Sequence, residues 1–478
     1  MNSRFSKTRI ICTLGPSSSS VENIVKMINA GMDCARLNFS HSSHAEHKKM
    51  INAVRKASKI TKEPIAIIQD LQGPKIRTGK LKEAKVFLIP GNIFTITIDD
   101  ILGDAKRVST TYKKLPHDVK VGDVILINDG LIKLIVKSKT KRDVVTEIIF
   151  GGELSNNKGI NLPEINISSP SCTEKDLKDL SFGVANGVDY VALSFVRNAN
   201  DIKFLRKQII KRIEKTRRLP IIAKIEKQEA LKNIDEIIAE ADAIMIARGD
   251  LGVECELEDV PMLQKMICEK AFKYGKPVII ATQMLESMIE NPRPTRAEAN
   301  DVANAVLDGA DAVMLSGETS VGKHVPEVVR IMDSIVRRAE ENSKDRVFEF
   351  ASNLDSDFST IESIGQAACV LAKQVGAKVI VPITHSGATA QIISRYRPTA
   401  RIIAATSRIR IQCRLNLFWG IRSILVPPLT DSDSSFPIIC KLLLKNKYLV
   451  KGDKIVVTAG LPLHGRGKTN MLKVQEVE

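Results

Sequence analysis

The sequence predicts an α/β protein whose largest part is a (β/α)₈ barrel of the TIM type. Eight short apolar runs each end in a charged or polar residue, and most are followed by an amphipathic helical stretch. The runs lack the alternation of a half-exposed strand, so they are typical of parallel strands buried on both faces. They are Arg9–Thr13, Asp33–Asn38, Ile65–Asp70, Asp189–Ser194, Ile221–Glu226, Asp242–Arg248, Pro277–Thr282 and Asp311–Ser316.

The alternation of apolar runs with helical stretches is interrupted twice, which predicts two further domains. Residues 72–167 contain short β-type runs separated by turn signals such as Asn128–Gly130, as in a small β-barrel inserted at a barrel loop. After a polar stretch, residues 343–478 alternate strands with helices, as in a three-layer α/β domain. The barrel itself takes residues 1–71 and 168–342. The inserted runs are Lys85–Ile89, Ile93–Ile98, Val124–Ile127, Leu131–Val136 and Val144–Ile149, and the C-terminal strands are Ala377–Pro382, Arg401–Thr406 and Asp453–Thr458.

Composition limits the class of protein. The 478 residues suit about three domains, and 44% apolar with 26% charged residues is ordinary for a globular chain. No run reaches the ~18 apolar residues of a membrane helix, and the N-terminus lacks a signal-peptide core, so we expect a cytoplasmic protein without membrane contact. The net charge of +16 suggests nucleic-acid binding. Basic residues are dispersed and aromatic residues are only 4%, so we expect no nucleic-acid partner.

Polar side chains follow the predicted barrel strands, at the mouth where such barrels do chemistry. Lys224 and Glu226 lie two apart on one strand and therefore face the same way. Asp250 follows the next strand, and two carboxylates with phosphate oxygens make a plausible Mg²⁺ site. The Gly249–Asp250 turn is expected to open a helix through Asp259–Phe272, whose free N–H groups can bind an anion. The strand-end residues are Arg36, Asn38, Asp70, Lys224, Glu226, Asp250, Thr282 and Glu318. Together they predict a metal-assisted site for an anionic substrate.

Nine motifs, in unbroken order to about residue 340, resemble those of the pyruvate kinase family. The motifs are Cys12–Pro16, Arg36–His41, Asp70–Arg77, Asn157–Pro163, Ala223–Glu226, Ala247–Gly252, Ala281–Ser287, Pro292–Glu298 and Leu315–Thr319. The resemblance implies transfer of a phosphoryl group from phosphoenolpyruvate to ADP, giving pyruvate and ATP, the last step of glycolysis. It also implies a homotetramer in which the inserted domain closes over the site as a lid.

The resemblance assigns roles at the mouth. Glu226 and Asp250 would hold Mg²⁺. Lys224 would contact the transferring phosphoryl group and stabilise the enolate, while Arg36 would bind the phosphoryl oxygens. The backbone at Gly249 and Asp250 would receive the pyruvate carboxylate. Thr282 would lie near the face on which the enolate is protonated, through water. The residues expected to face the nucleotide phosphates are Asn38, His41, Arg77 and Lys158.

A monovalent cation site is also implied, and one residue departs from its pattern. The expected ligands are Asn38, Ser40, Asp70 and Leu71. Potassium-requiring members tend to carry Glu where this chain has Lys75. The Lys75 ammonium could take the place of potassium, so we expect that potassium can bind but is not required. In the lid turn, Asn128 replaces the first acid of the family's pattern and leaves Asp129.

The C-terminal domain carries a candidate effector site for a small phosphorylated ligand. Thr384–Thr389 follows a strand and opens a helix, which offers hydroxyls and free N–H groups to an anion. An ordinary Ser/Thr helix cap explains the same residues nearly as well. The candidate contacts are Thr384, Ser386, Thr389, Arg466 and Lys468.

Two other functions compete with phosphoryl transfer. Lys224 could be the nucleophile of a Schiff-base aldolase or lyase, but such a lysine is activated by desolvation or a nearby cation, whereas Glu226 would hold it charged. A non-catalytic binding or regulatory protein is favoured only by the basic pI of 9.4.

Overall fold

Eight parallel strands close into a barrel, as the sequence predicts. A computed structural model of the chain describes residues 6–165, 167, 168, 170–214, 218–342, 359–429, 431–463 and 468–478. Each strand pairs with the next along the barrel, and the first, at Arg9, pairs with the last, at Ala312. The strands are Arg9–Thr13, Cys34–Asn38, Ala66–Asp70, Tyr190–Leu193, Ile221–Ile225, Ala243–Ala247, Val278–Ala281 and Ala312–Leu315.

Burial on both faces explains why these strands read as continuous apolar runs. Ile68, Ile222 and Met245 belong to one buried cluster, while the neighbouring Ile221 and Ala223 belong to another, which also contains the helix residues. Alternate side chains therefore fill the barrel interior or pack under the surrounding helices.

Helices surround the barrel, and several begin at sequence-coded caps. The Ser43 hydroxyl accepts the Glu46 N–H while the Glu46 carboxylate accepts the Ser43 N–H, a capping box that satisfies two free N–H groups. The α-helices are Val21–Ala30, His44–Thr61, Glu174–Ala185, Ala199–Ile210, Gln228–Lys232, Ile234–Glu240, Arg248–Glu254, Val260–Lys273, Arg296–Leu307, Gly317–Ser320 and Val325–Asn342, and the 3₁₀ turns are Pro16–Ser18, Leu257–Asp259 and Glu286–Ile289.

The inserted all-β domain consists of a six-stranded and a two-stranded sheet around its own apolar core. Asn128 and Asp129 both have positive φ, which makes the tight turn that the sequence signals there. The strands are Lys85–Leu88, Ile93–Thr97, Arg107–Ser109, Val124–Ile127, Ile132–Lys139, Asp143–Phe150, Gly152–Ser155 and Ile160–Asn161, with one short helix at Leu115–Asp118. The three strands absent from the sequence prediction are the short Arg107–Ser109, Gly152–Ser155 and Ile160–Asn161.

The C-terminal domain is a five-stranded sheet flanked by helices, a layered α/β arrangement as predicted. Its sheet order is Ile421–Leu425, Arg401–Thr406, Val379–Pro382, Lys454–Ala459 and Met471–Glu476, and its helices are Thr360–Gln374, Ala388–Arg395, Ile409–Leu415 and Ser432–Lys445. The last strand is antiparallel to its neighbour and has no buried residue, so its sequence lacks the apolar run of a buried strand.

A buried arginine joins this domain to the end of the barrel opposite the mouth. Arg9 is fully buried, pairs with Asp33 at 3.1 Å, and donates from Nε to the Phe418 carbonyl at 2.9 Å. A charge in this position is tolerated because its donors are satisfied. Among the described residues, no helix is both long and apolar enough to cross a membrane.

Candidate active site

Lys224 lies at the centre of the barrel mouth. Its ammonium is 2.8 Å from Glu226 Oε1, 3.3 Å from Asp70 Oδ1 and 2.7 Å from Ser194 Oγ. Burial by itself lowers the pKa of Lys224, but the charges of Asp70 and Glu226 outweigh it, so the pKa is raised. Lys224 is therefore a charged donor held in one place rather than a neutral nucleophile.

Two carboxylates meet beside this lysine. Glu226 is 1% exposed, and its Oε2 accepts the N–H of Phe195 at 2.7 Å. Burial raises the pKa of Glu226; Lys224 opposes that shift, while the charge of Asp250 adds to it. Among the residues that the structure describes, none hydrogen-bonds to the Asp250 carboxylate. Two neighbouring carboxylates, one of them unpartnered, suit a cation placed between them.

Arg36 occupies the opposite side of Asp70. Its Nε and Nη2 atoms lie 2.8 and 2.7 Å from Asp70 Oδ2, and Nη1 donates to Thr13 Oγ1 at 3.0 Å. Asp70 is thus shared by two cations, Arg36 and Lys224. Burial alone would raise the pKa of Asp70, but these two charges lower it. A single carboxylate fixes both cations and leaves them jointly able to attract an anion.

Thr282 adopts a strained backbone at the mouth, with φ of 71°. Such a conformation is a genuine outlier for a β-branched residue, and outliers of this kind cluster at functional sites. Its Oγ1 accepts the Gly249 N–H at 2.8 Å and donates to the Ala281 carbonyl at 2.6 Å. Arg248 fixes the same corner, because Nη2 donates to the Thr282 carbonyl at 2.8 Å while both terminal nitrogens pair with Asp301.

The predicted helix start needs a correction. Gly249 and Asp250 lie in a separate short helix, Arg248–Glu254, and the longer helix begins at Val260. Cys255 and Glu256 break the two apart with extended backbone angles, which the sequence pattern does not reveal.

The residues expected to face the nucleotide come from two domains. His41 belongs to the barrel, whereas Arg77 and Lys158 belong to the inserted domain. Arg77 donates from Nη1 to the Asn157 carbonyl at 3.1 Å. Burial, followed by the charges of Arg77 and Lys75, lowers the pKa of His41, so His41 is neutral at neutral pH. The charges of Arg77 and Lys75, which belong to the inserted domain, therefore act on a barrel residue.

A cleft lies between the two domains. Its lining includes Lys75 and Asp129 from the inserted domain, and Phe195, Lys227 and Asp250 from the barrel. The cleft therefore reaches the Asp250 carboxylate, whereas Asn38, His41, Arg77 and Lys158 are not among the residues that line it.

The expected ligands of a monovalent cation lie together, but some of their oxygen atoms already accept hydrogen bonds within the protein. Asn38 Oδ1 accepts the Ser40 N–H at 3.1 Å, and the Leu71 carbonyl accepts the Ser194 hydroxyl at 2.8 Å. Lys75 is exposed, and no carboxylate of the described chain lies within 4 Å of its ammonium. Asp70 is instead paired with Arg36 and Lys224. Lys75 therefore makes no direct contact with this group.

Sequence reasoning missed three residues of the mouth and overstated one. Ser194 and Phe195 contact Lys224 and Glu226, and Arg248 braces Thr282, yet each looks like an ordinary strand end in the sequence. The available signal was the polar residue that ends each predicted run, which marks Ser194 and Arg248, whereas Phe195 carries no such signal. Glu318 proves structural, since its buried carboxylate accepts backbone N–H groups at 2.6 and 3.1 Å.

The hydroxyl groups of the candidate effector loop already form hydrogen bonds within the C-terminal domain. Thr384 Oγ1 accepts the Gly387 N–H at 2.9 Å, and the Ser386 hydroxyl accepts the Ala388 N–H at 3.4 Å. Thr389 is buried, and its hydroxyl lies 2.6 Å from that of Thr469. Lys468 is exposed, and Arg466 lies outside the described residues.

Comparisons with known proteins identify the family of this chain. Residues 5–329 match the family model "Pyruvate kinase, barrel domain", and residues 362–475 match "Pyruvate kinase, alpha/beta domain". The chain belongs to the pyruvate kinase family. The Corynebacterium glutamicum pyruvate kinase is 45% identical over 98% of this chain and 97% of its own length. The Geobacillus stearothermophilus pyruvate kinase is 42% identical over 98% of this chain and 80% of its own length.

A solved structure supports the same conclusion. The crystal structure of a pyruvate kinase from Cryptosporidium parvum superposes with a TM-score of 0.93 at 36% identity, and the match covers 99% of this chain and 96% of that one. As a pyruvate kinase, this enzyme transfers the phosphoryl group of phosphoenolpyruvate to ADP and forms pyruvate and ATP. The family requires a divalent metal for this glycolytic step.

Proposed function

We propose that Lys224 and Arg36 carry the transfer at the barrel mouth, with Lys224 as the principal charge donor. The single observation behind this proposal is the placement of Lys224, charged and fixed by Glu226, Asp70 and Ser194 at the barrel mouth. Catalysis of phosphoryl transfer consists mainly of positioning and charge stabilisation. A fixed ammonium stabilises charge that develops in the transition state without reorganising first.

In this proposal the two cations, Arg36 and Lys224, have different roles toward the substrate. Arg36 binds the phosphoryl oxygens, and Lys224 contacts the phosphoryl group while it moves. When the bond to the enol oxygen breaks, its electron pair stays on that oxygen as an enolate, which Lys224 stabilises. The carboxylate end of the substrate lies against the backbone of Gly249 and Asp250, where Thr282 Oγ1 already orients the Gly249 N–H.

Proton delivery completes the reaction. The enolate carbon must gain a proton to become the methyl group of pyruvate. Thr282 lies beside Gly249 and is the residue we assign to that face, acting through water. The Gly249 N–H and the Ala281 carbonyl hold its hydroxyl in this position.

We assign the divalent metal to Glu226 and Asp250 and propose Mg²⁺ as the ion. The fit rests on the unpartnered Asp250 carboxylate and on the raised pKa of Glu226, which burial and the nearby Asp250 cause. No cluster of three or more His, Cys, Asp or Glu side chains suited to a metal occurs among the described residues. Mg²⁺ readily completes its coordination with water and substrate oxygens. When bound, the ion would neutralise charge on the phosphoryl and enolate oxygens.

We further propose that Asn38, His41, Arg77 and Lys158 bind the ADP phosphates. Arg77 and Lys158 belong to the inserted domain, so nucleotide binding would draw that domain over the cleft and exclude water. The domain limits that we propose are residues 1–71 with 168–342 for the barrel, 72–167 for the lid and 343–478 for the C-terminal domain.

The remaining assignments extend the family membership. We propose a monovalent cation site at Asn38, Ser40, Asp70 and Leu71 that works without potassium because of Lys75. We also propose a cytoplasmic homotetramer without nucleic-acid or membrane partners, whose C-terminal domain takes a small phosphorylated effector at Thr384–Thr389 and Lys468, with Arg466.

A coupled assay tests the proposed function directly. Phosphoenolpyruvate, ADP and Mg²⁺ should give pyruvate and ATP at a high rate, with little change when potassium is added. Incubation with pyruvate and borohydride should leave Lys224 unlabelled, because a charged lysine does not form a Schiff base. Labelling of Lys224, or an absence of ATP formation, would refute the assignment in favour of a lyase or a binding protein.

A further inference from the structure

The turn that follows the strand Tyr190–Leu193 contacts the catalytic lysine directly. The Ser194 hydroxyl lies 2.7 Å from Lys224 Nζ and 2.8 Å from the Leu71 carbonyl. A hydroxyl has one hydrogen and two lone pairs. Because the hydrogen is directed to the Leu71 carbonyl, a lone pair faces the Lys224 ammonium. Asp70, at 3.5 Å, is a weaker alternative acceptor.

The next residue of the turn holds the neighbouring carboxylate. Phe195 has a φ of 56°, a left-handed conformation that is uncommon for a bulky side chain. This conformation directs its N–H to Glu226 Oε2 at 2.7 Å, while Glu226 Oε1 faces Lys224 at 2.8 Å. Two consecutive residues therefore fix both members of the ion pair, one through a hydroxyl and one through the backbone.

The same turn packs against the segment that leads into the inserted domain. Gly73 has a φ of 69°, and a Cβ added there would lie 2.9 Å from the Phe195 ring and 3.1 Å from Ser194 Cβ. The Gly73 N–H is held by Asp176 Oδ1 at 3.1 Å. A glycine is required at this point because only its backbone can approach the turn so closely. The connection to the lid is thus in contact with the residues that hold Lys224.

We propose that the Ser194–Phe195 turn positions Lys224 and Glu226 for phosphoryl transfer and links them to the lid connection at Gly73. Ser194 is a positioning residue that acts through Lys224, so the inference rests on the proposed role of Lys224. Its hydroxyl fixes the direction of the ammonium, and the Phe195 amide fixes the carboxylate. A misplacement of about 1 Å at such a site can reduce the rate about 10²-fold.

Ser194→Ala is the first test, in the full-length enzyme. We expect kcat to fall about 10- to 100-fold, while KM for phosphoenolpyruvate and for ADP changes less than about threefold, because the ammonium remains but is no longer directed. Ser194→Cys keeps the size of the side chain but accepts hydrogen bonds weakly, and it should behave in the same way. Thermal unfolding of each variant reports on folding separately.

Ser394→Ala is the matched control. Ser394 is buried like Ser194, and its hydroxyl also donates to a backbone carbonyl, that of Trp419 at 2.6 Å, but it lies in the C-terminal domain. Its loss should leave kcat and KM within about twofold of wild type. A kcat of Ser194→Ala within twofold of wild type, or equal losses in Ser394→Ala, would overturn the proposal.

Two further variants distinguish an error in the positioning role of Ser194 from an error in the proposed role of Lys224. Lys224→Met tests the role of the lysine alone. If this variant is nearly inactive while Ser194→Ala keeps the wild-type kcat, only the positioning role of Ser194 is wrong.

Gly73→Ala tests the link to the lid connection, since it should displace the turn and lower kcat. The double variant Gly73→Ala/Ser194→Ala should then lose less than the product of the two single losses, because both act on the same contact. Multiplying losses would show that Gly73 is not linked to Ser194.

Discussion

The barrel mouth and the Thr384–Thr389 loop both place polar side chains after buried strands, but the two regions use them differently. At the mouth, the Asp250 carboxylate lines a cleft and has no hydrogen-bond partner in the described structure, while Lys224 and Arg36 share the carboxylate of Asp70. In the loop, the Thr384 and Thr389 hydroxyls are engaged within the C-terminal domain itself. Polar groups that retain bonding capacity beside a cleft indicate a ligand site more strongly than the residue types alone.

The largest effect should follow from removing the central charge of the mouth. Lys224→Met should lower kcat by roughly 10²–10³ or more, the loss expected for one charge donor in the transition state. Binding of phosphoenolpyruvate and of the metal should be largely retained, because Arg36 and the carboxylates remain. Steady-state kinetics and a direct binding titration measure the two effects.

Lys270→Met is the control for this substitution. Lys270 also pairs with a carboxylate, Asp235 at 2.6 Å, but on the outer surface of the barrel. Exposed pairs contribute little, about 0–1 kcal/mol, so activity should be unchanged. A Lys224→Met enzyme that turns over within a few-fold of wild type would remove Lys224 from the mechanism.

The two carboxylates should produce the next largest effect. Glu226→Gln or Asp250→Asn removes one charged metal ligand, so the Mg²⁺ concentration needed for half-maximal activity should rise sharply. Mg²⁺ titration of the rate measures the change, with Asp235→Asn as the surface control. Unchanged activity at ordinary Mg²⁺ would show that the metal is held elsewhere.

The fold was readable from the sequence because parallel barrel strands are buried on both faces. Ile221–Ile225 and its neighbours are buried along their length and mostly apolar, so they stand out from the chain. Met471–Glu476 has no such pattern, because it is an exposed edge strand defined by hydrogen bonds to Lys454–Ala459. Pairing between distant segments leaves no local signal, and this is also why the short lid strands escaped prediction.

The candidate site was readable in its charged groups but not in the contacts that hold them. Lys224, Glu226 and Asp250 are identified by residue type and spacing. Ser194 and Phe195 are not, since their role depends on a left-handed backbone and on neighbours about 30 residues away. Lys75 is another residue whose contacts the sequence does not predict. The resemblance placed its charge beside Asp70, whereas in the structure Lys75 is exposed and contacts no carboxylate of the described residues.

A smaller effect is expected from potassium. The unmutated enzyme should depend weakly on potassium or not at all, because Lys75 supplies a positive charge on this side of the cleft. Lys75→Glu reverses that charge, and potassium should then activate about tenfold, or about 1.4 kcal/mol. Rates in potassium and in a bulky organic cation measure the difference. Strong potassium activation of the unmutated enzyme would contradict this interpretation, and Lys75 would have no part in replacing the ion.

The smallest effect should come from the C-terminal loop, where most polar groups are already engaged. A phosphorylated effector would have to use the exposed Lys468 and Ser386, whose bond to the Ala388 N–H is long at 3.4 Å. The segment Thr384–Thr389 contains no Lys or Arg that could bind a further phosphate, so a sugar monophosphate or AMP should act more strongly than a bisphosphate. The apparent affinity for phosphoenolpyruvate should change about fivefold, the lower end of allosteric coupling. Titration at subsaturating phosphoenolpyruvate measures the change, and Ser386→Ala with Lys468→Ala should abolish it while basal activity persists. If none of these ligands acts, or if the response survives the double substitution, the loop is only a helix cap.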